Sequence, residues 1–173
     1  MNQNNSPGDD STDPRVARRE KMRQIAERGI DPFGSRFDDR LLIAACRERV
    51  GEVKFVTADG RELELPDFDS GEIDYRQWKS DNGPGSEVGP TVRVSGRIML
   101  ARPTGKLIFL NIKDWTGSIQ IFVGKKQVGD EDFELAKLFD LGDLIGAEGR
   151  LGRTNTGELT VFAEKLFFHT KML

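Results

Sequence analysis

The sequence predicts a mainly β domain, a small five-stranded barrel with a helix between the third and fourth strands, preceded by N-terminal α-helices. Three observations predict it. From Thr91 onward apolar and polar residues alternate in five separate runs, the period of a strand whose two faces see different surroundings. A helical run, DEDFELAKLF, interrupts them after the third. Before Gly51, apolar residues recur instead at helical spacing.

The elements follow in order. Residues 1–14, MNQNNSPGDDSTDP, are too poor in apolar groups to offset the entropy of ordering, and a disordered tail is expected. Residues 15–50 read as an N-terminal helical segment. Asp13 or Thr12 can cap its first helix, Pro14 suits the first helical position, and Val16, Met22, Ile25 and Ala26 form an apolar stripe. Gly29 stops it, with Pro32 following in GIDPFG. Arg15, Arg18, Arg19, Lys21, Arg23 and Arg28 stand there against Glu20 and Glu27, either as a solvated face or as phosphate contacts. A second helix is expected from about Phe37 to Val50, with Leu41, Leu42, Ala45 and Cys46 on one side.

Residues 51–90 read as a hairpin insertion and an acidic linker. Asp59-Gly60 is a strong turn signal between Val53/Phe55 and Leu63/Leu65. Pro66 to Pro90 is acidic and rich in Gly and Ser, the composition of a linker or mobile loop, and its Tyr75 and Trp78 are either docking anchors or ordinary exposed aromatics.

Residues 91–173 hold the barrel. VRVSGRIML is a strand with Gly96 at its middle, the place for a bulge or bend. KLIFLNIKDW follows, and Thr116-Gly117 turns into SIQIFVGKK. DEDFELAKLF carries acids in its first turn and Lys137 in its last, as the helix dipole favours. Asp143 to Arg153 and Glu158 to His169 supply the last two strands around the turn TNTG. Strand–strand–strand–helix–strand–strand is the order of the OB-fold.

Composition narrows the function classes. The 173 residues carry 26 Lys+Arg and 29 Asp+Glu, a formal net charge of −3. Residues 1–90 hold 14 basic and 19 acidic side chains and residues 91–173 hold 12 and 10, a basic bias that permits nucleic acid without arguing for it. No run approaches the ~18 apolar residues of a membrane span, and the N-terminus lacks the basic and apolar regions of a signal peptide. A soluble cytoplasmic protein without a membrane partner is expected. One cysteine, Cys46, and one histidine, His169, make neither a disulfide framework nor a structural zinc site. Neither a nucleophile motif nor a Gly-rich phosphate loop is present, so no catalytic or metal-binding residue is assigned.

Strand phase then selects the binding residues. If Ile108, Leu110, Ile112, Ile119, Ile121, Val123, Leu159, Val161 and Ala163 face the core, then Phe109, Gln120, Phe122, Glu158, Thr160 and Phe162 face outward. In an OB-fold, strands two and three present the binding face, framed by the loops between strands 1–2 and 4–5, here Arg102–Lys106 and Arg153–Gly157. An aromatic ring stacks a base, an amide offers both donor and acceptor to a base edge, and a carboxylate accepts from a base N–H. Phe109, Gln120 and Glu158 fit those roles, with Arg97, Arg102, Lys106 and Arg153 as phosphate contacts.

The segment RREKMRQIAERGIDPFGSRFD resembles the N-terminal helix of class II lysyl-tRNA synthetases. GRIMLARPTGKLIFLNIKDWTGSIQIFV and LGDLIGAEGRLGRTNTGELTVFAEKLFFHTKML resemble the anticodon-binding OB domain that follows it. The resemblance spans residues 15–40 and 91–173. Aspartyl and asparaginyl synthetases share the barrel and the Phe/Gln pair, while the basic leading helix and the ending HTKML favour the lysine branch.

It implies an anticodon-binding portion of a lysine–tRNA ligase whose partner is the anticodon loop of tRNA(Lys). The base-stacking aromatic matches Phe109, the glutamine reading the central uridine matches Gln120, the TGEL glutamate matches Glu158, and the GRIM arginine matches Arg97. Of an arginine pair frequent in the family, Ala101 replaces the first and Arg102 remains. The stretch 51–90 is longer than the family's usual connection. No class II catalytic motif is present, so the chain is expected to be a truncated portion, monomeric and inactive alone, without cofactor. ATP, magnesium and homodimerisation belong to the resembled full-length enzyme. Two rival readings are a standalone OB module binding single strands or a protein without base preference, and a complete ligase whose sequence was cut.

Overall fold

A computed structural model describes residues 13–173, and residues 1–12 of the expected tail lie outside the described residues. Asp13 and Pro14, also assigned to that tail, instead start helix α1 (Pro14–Glu27), where the Asp13 carboxylate accepts from Arg15 N at 2.8 Å. This side-chain cap satisfies a backbone donor that has no partner within the helix.

Helix α2 (Ile43–Glu48) is shorter than expected. Phe37 to Leu42 are not helical: Asp39 has φ 59°, and Leu41 N donates to Arg93 O at 2.7 Å, giving the chain a strand-like contact on the barrel. The helix begins where outside acceptors reach its free N–H groups. Asp114 Oδ2 accepts from Ile43 N at 2.9 Å and Thr116 Oγ1 from Ala44 N at 3.0 Å. That boundary is set by a turn 71 and 72 residues away along the chain, so local pattern does not reveal it.

Residues 54–88 form a small folded unit, in which the expected hairpin is joined by residues 66–88, where an acidic linker was expected. β1 (Lys54–Thr57) pairs antiparallel with β2 (Glu62–Glu64) around the Asp59-Gly60 turn and, on its other edge, with β3 (Gly85–Val88). Between them α3 (Tyr75–Asn82) is capped by Asp74. Four aromatics hold the unit together edge to face: Phe55–Trp78 at 5.4 Å, Phe68–Trp78 at 5.7 Å and Phe68–Tyr75 at 5.0 Å between centroids. Such T-shaped pairs add about 0.5–1.5 kcal/mol each beyond their burial.

The barrel is closed, in the strand order β4-β5-β6-β8-β7. Its strands are β4 (Thr91–Thr104), β5 (Leu107–Lys113), β6 (Ser118–Gly124), β7 (Leu144–Arg153) and β8 (Leu159–Thr170), with α4 (Lys125–Ala136) between β6 and β7. This is the expected OB-fold. Residues Ile108, Leu110, Ile112, Ile119, Ile121 and Val161 all point into the core. The bulge in β4 falls at Met99, where the register shifts, and not at Gly96. Gly96 meets a different need, because a Cβ there would stand 2.7 Å from Lys113 O. The loop expected at Arg102–Lys106 is strand through Thr104, leaving a tight turn at Gly105-Lys106.

A buried ion cluster ties the chain end to the barrel. Lys171 Nζ, fully buried, lies 2.6 Å from Asp143 Oδ2 and 2.9 Å from Asp140 Oδ2, and donates to Leu138 O at 2.9 Å. Lys21 of α1 reaches Asp140 at 2.5 Å. Burial would raise the Asp140 carboxyl, but hydrogen bonds from Lys21 and Lys171 outweigh it and hold the group below its ordinary value. Its folded pKa being depressed, Asp140 stabilises the fold above the unfolded carboxylate pKa, and that contribution is lost as pH falls through the folded value. Replacing Lys171 by Ala leaves Asp143 uncompensated, and urea unfolding at neutral pH should show a loss of about 3–5 kcal/mol. In an acid titration of stability below pH ~4, Asp140→Asn should have a shallower decline than wild type.

Candidate nucleic-acid interface

Barrel closure assembles the candidate site. β5 and β6 pair antiparallel, placing Phe109 opposite Phe122, and β6 and β8 pair in parallel, placing Phe122 opposite Phe162 and Gln120 opposite Thr160. The result is a row of three half-buried rings across three strands, with centroids 5.3 Å apart at each step. Phe162 completes this row and was legible only as an outward phase, with no role attached. The row and Gln120 line a groove of about 690 Å³ that also contains Arg102 and the turn Thr154–Thr156. A neighbouring hollow of about 270 Å³ shares Arg102, Phe109, Gln120 and Thr156 and adds Asn111 and Glu158.

Hydrogen bonding fixes how Gln120 presents itself. Thr160 Oγ1, fully buried, gives its proton to Glu158 O at 2.9 Å. Its lone pairs are therefore left to accept, and they accept from Gln120 Nε2 at 3.0 Å. The amide nitrogen is turned toward Thr160, and Oε1 is left as an acceptor toward the groove. Glu158 O also accepts from Thr154 N at 3.0 Å, so one carbonyl links the turn to the Thr160–Gln120 pair. Thr160 is the positioning residue that sequence reasoning did not single out, because its partner depends on a parallel pairing between strands 40 residues apart.

The cations divide. Arg102 lines the groove and Lys106 sits in the turn before β5; both are exposed and make no side-chain hydrogen bond among the described residues. Arg153, expected as a phosphate contact, is buried: its guanidinium donates to Gly157 O at 2.7 Å, lies 3.4 Å from Asp69 and covers the Phe68 ring at 5.3 Å. It clasps the β7–β8 turn to the small sheet. Arg97, expected with Phe109 and Gln120, lies apart from them. It donates to Gly142 O at 2.7 Å and lines a separate hollow of about 420 Å³ with Arg40, Lys113 and Trp115.

The α1 cations divide as well. Lys21 is spent on Asp140, Arg18 donates to Met172 O at 3.3 Å, and Arg23 pairs with Glu20 and Glu27. Arg15 and Arg19 are exposed, without an ion pair among the described residues. Cys46 and His169, each single of its kind in the sequence, are both shifted by burial. Burial pushes the Cys46 thiol up to about 11, and burial followed by repulsion from Arg40 and Arg93 lowers His169 below its ordinary value.

Comparison with known proteins agrees with this geometry. Residues 92–167 match a family model for the tRNA anticodon class, described as an OB-fold nucleic acid binding domain. The chain is 35% identical over 165 residues to lysine–tRNA ligases of Staphylococcus aureus, among them those of strains Mu3 and N315, covering 95% of this chain and 28% of each ligase. It thus spans little more than a quarter of the length of those relatives. A crystal structure of asparaginyl-tRNA synthetase from Pyrococcus horikoshii, complexed with asparaginyl-adenylate, overlaps 49% of this chain and 20% of its own, with 34% identity and a TM-score of 0.45. No helix among the described residues is long and apolar enough to cross a membrane. Residues 92–167 are thus an OB-fold nucleic acid binding domain of the tRNA anticodon class, in a chain similar over 95% of its length to part of lysine–tRNA ligases.

Proposed function

We propose that this chain binds the anticodon loop of tRNA(Lys) and reads its central uridine, as part of a lysine–tRNA ligase of the cytoplasm. The observation that carries the reading is the oriented amide of Gln120 beside the aromatic row. Uridine offers an N3–H donor, which suits a free Oε1. Cytidine offers a lone pair at N3, which that oxygen would repel. Phe109 stacks the same base from its face, Glu158 accepts from an N–H of a neighbouring base, and Arg102 and Lys106 neutralise flanking phosphates. Arg15 and Arg19 of α1 add phosphate contacts outside the loop.

In this reading the chain performs no chemistry itself, takes no cofactor and is monomeric alone. ATP, magnesium and dimerisation enter with the rest of the ligase, where the grip on the loop positions the distant acceptor end.

Fluorescence anisotropy with a lysine-anticodon stem-loop, against the same loop carrying cytidine at the central position in the same salt, tests the proposal. Tighter binding of the uridine loop is expected, and equal binding would reduce the barrel to a general single-strand binder. Phe109→Ala should weaken cognate binding by about 5- to 150-fold, the worth of one stacked base at ~1–3 kcal/mol. Gln120→Ala should chiefly lower the uridine-to-cytidine ratio.

Thr160→Val distinguishes a positioned amide from a merely present one. Without the hydroxyl the amide is free to rotate, so the ratio should fall toward that of Gln120→Ala while the fold remains intact by circular dichroism. An unchanged ratio in Thr160→Val would sink the orientation argument.

A further inference from the structure

The small sheet unit brings two cations to the β7–β8 turn. Residues 66–90 contain six acids and two bases, Arg76 and Lys79, one turn apart on α3. Five of the acids are spent inside the fold. Asp67 caps the short turn at Phe68, Asp74 caps α3, Asp81 accepts from Gln77, Asp69 faces Arg153, and Glu87 accepts from Tyr75 Oη at 2.7 Å and Arg153 N at 2.5 Å. Both bases instead turn toward the same residue of the β7–β8 turn. Arg76 Nε donates to Asn155 O at 3.3 Å, and Lys79 Nζ to Asn155 Oδ1 at 3.4 Å.

Asn155 also lines the groove that holds Phe109 and Gln120. Together with Arg76, Lys79 and Ser80 it also borders an open hollow of about 540 Å³. Donors remain for a ligand there: both terminal nitrogens of Arg76, two N–H of Lys79, the Ser80 hydroxyl and the Asn155 amide nitrogen. A convergent set of donors with no carboxylate among the lining residues suits an anion.

Resting on the reading that a single strand occupies the groove, we infer that this hollow takes a backbone phosphate of that strand as it leaves the aromatic row across Asn155. The unit at residues 54–88 is thereby an extension of the RNA-binding surface, adding affinity without base preference.

The test uses the whole chain and the same labelled stem-loops across a salt series. Reversing both charges, R76E with K79E, should weaken binding about tenfold or more and flatten the slope of log affinity on log salt by about 0.7 for one lost phosphate. The uridine-to-cytidine ratio should not change, and R76K with K79R should retain wild-type binding. If the reversed variant fails to fold, Arg76→Gln and Lys79→Gln, which still donate to Asn155, carry the test with the same expected flattening. Wild-type affinity and slope in a folded charge-removed variant would overturn the inference while leaving base reading untouched. Loss of affinity in that variant, in a chain that shows no uridine preference, would uphold the phosphate contact and reject the base reading. A chain that binds neither loop overturns both.

Discussion

The short parallel pairing of β6 with β8 is the contact on which the rest of this structure depends. It spans three residue pairs, Gln120–Thr160, Ile121–Val161 and Phe122–Phe162. The middle pair points inward and seals the apolar core between strands that no antiparallel hairpin joins. The outer pairs point the other way and supply the groove with an oriented amide and with two of its three rings. A slip of one residue would exchange the two faces, burying Gln120 and Phe122 and exposing Ile121. The free energy that keeps the core dry therefore also sets the register of the site, and site geometry needs no separate source of stability.

Two further devices act at opposite ends of the barrel. At one end Lys171, Asp143 and Asp140 form a buried ion cluster that Lys21 joins from α1, so helix, chain end and the α4–β7 connection share one set of charges. Such clusters contribute little net stability compared with apolar packing, but they penalise every arrangement that leaves one member unpaired. At the other end Arg153 plays the same part for the β7–β8 turn, with the Phe68 ring above it and Gly157 O and Asp69 beside it. Both arginine and lysine here are internal struts, and the cations left for solvent are fewer than composition suggests.

Alternation in the barrel made its core and its outward residues legible, because strand phase is a local property: Phe109, Gln120 and Phe122 sit where the period puts them. The cations were not legible. Arg97 and Arg153 lie on strands in outward or turn positions, and their carbonyl partners, Gly142 O and Gly157 O, are made by turns whose path only the folded chain defines. The stretch 66–90 misled for a related reason. Its Gly, Ser and acids average to a loop, whereas its aromatics Phe68, Tyr75 and Trp78, together with Phe55 of β1, act through edge-to-face contacts that composition cannot register.

The clasp of Arg153 and Tyr75 on the β7–β8 turn has a consequence for how tightly anything can bind beside it. Tyr75 packs so closely on the turn that a Cβ at Gly157 would stand 3.0 Å from it. The groove wall is thus competent only in that fraction of molecules whose small sheet is docked. Apparent affinity scales with that fraction, since a dissociation constant is divided by the population able to bind. A substitution at Trp78 or Phe55, far from any base, would act by depopulating the competent state, and its effect would grow with temperature as the unit loosens.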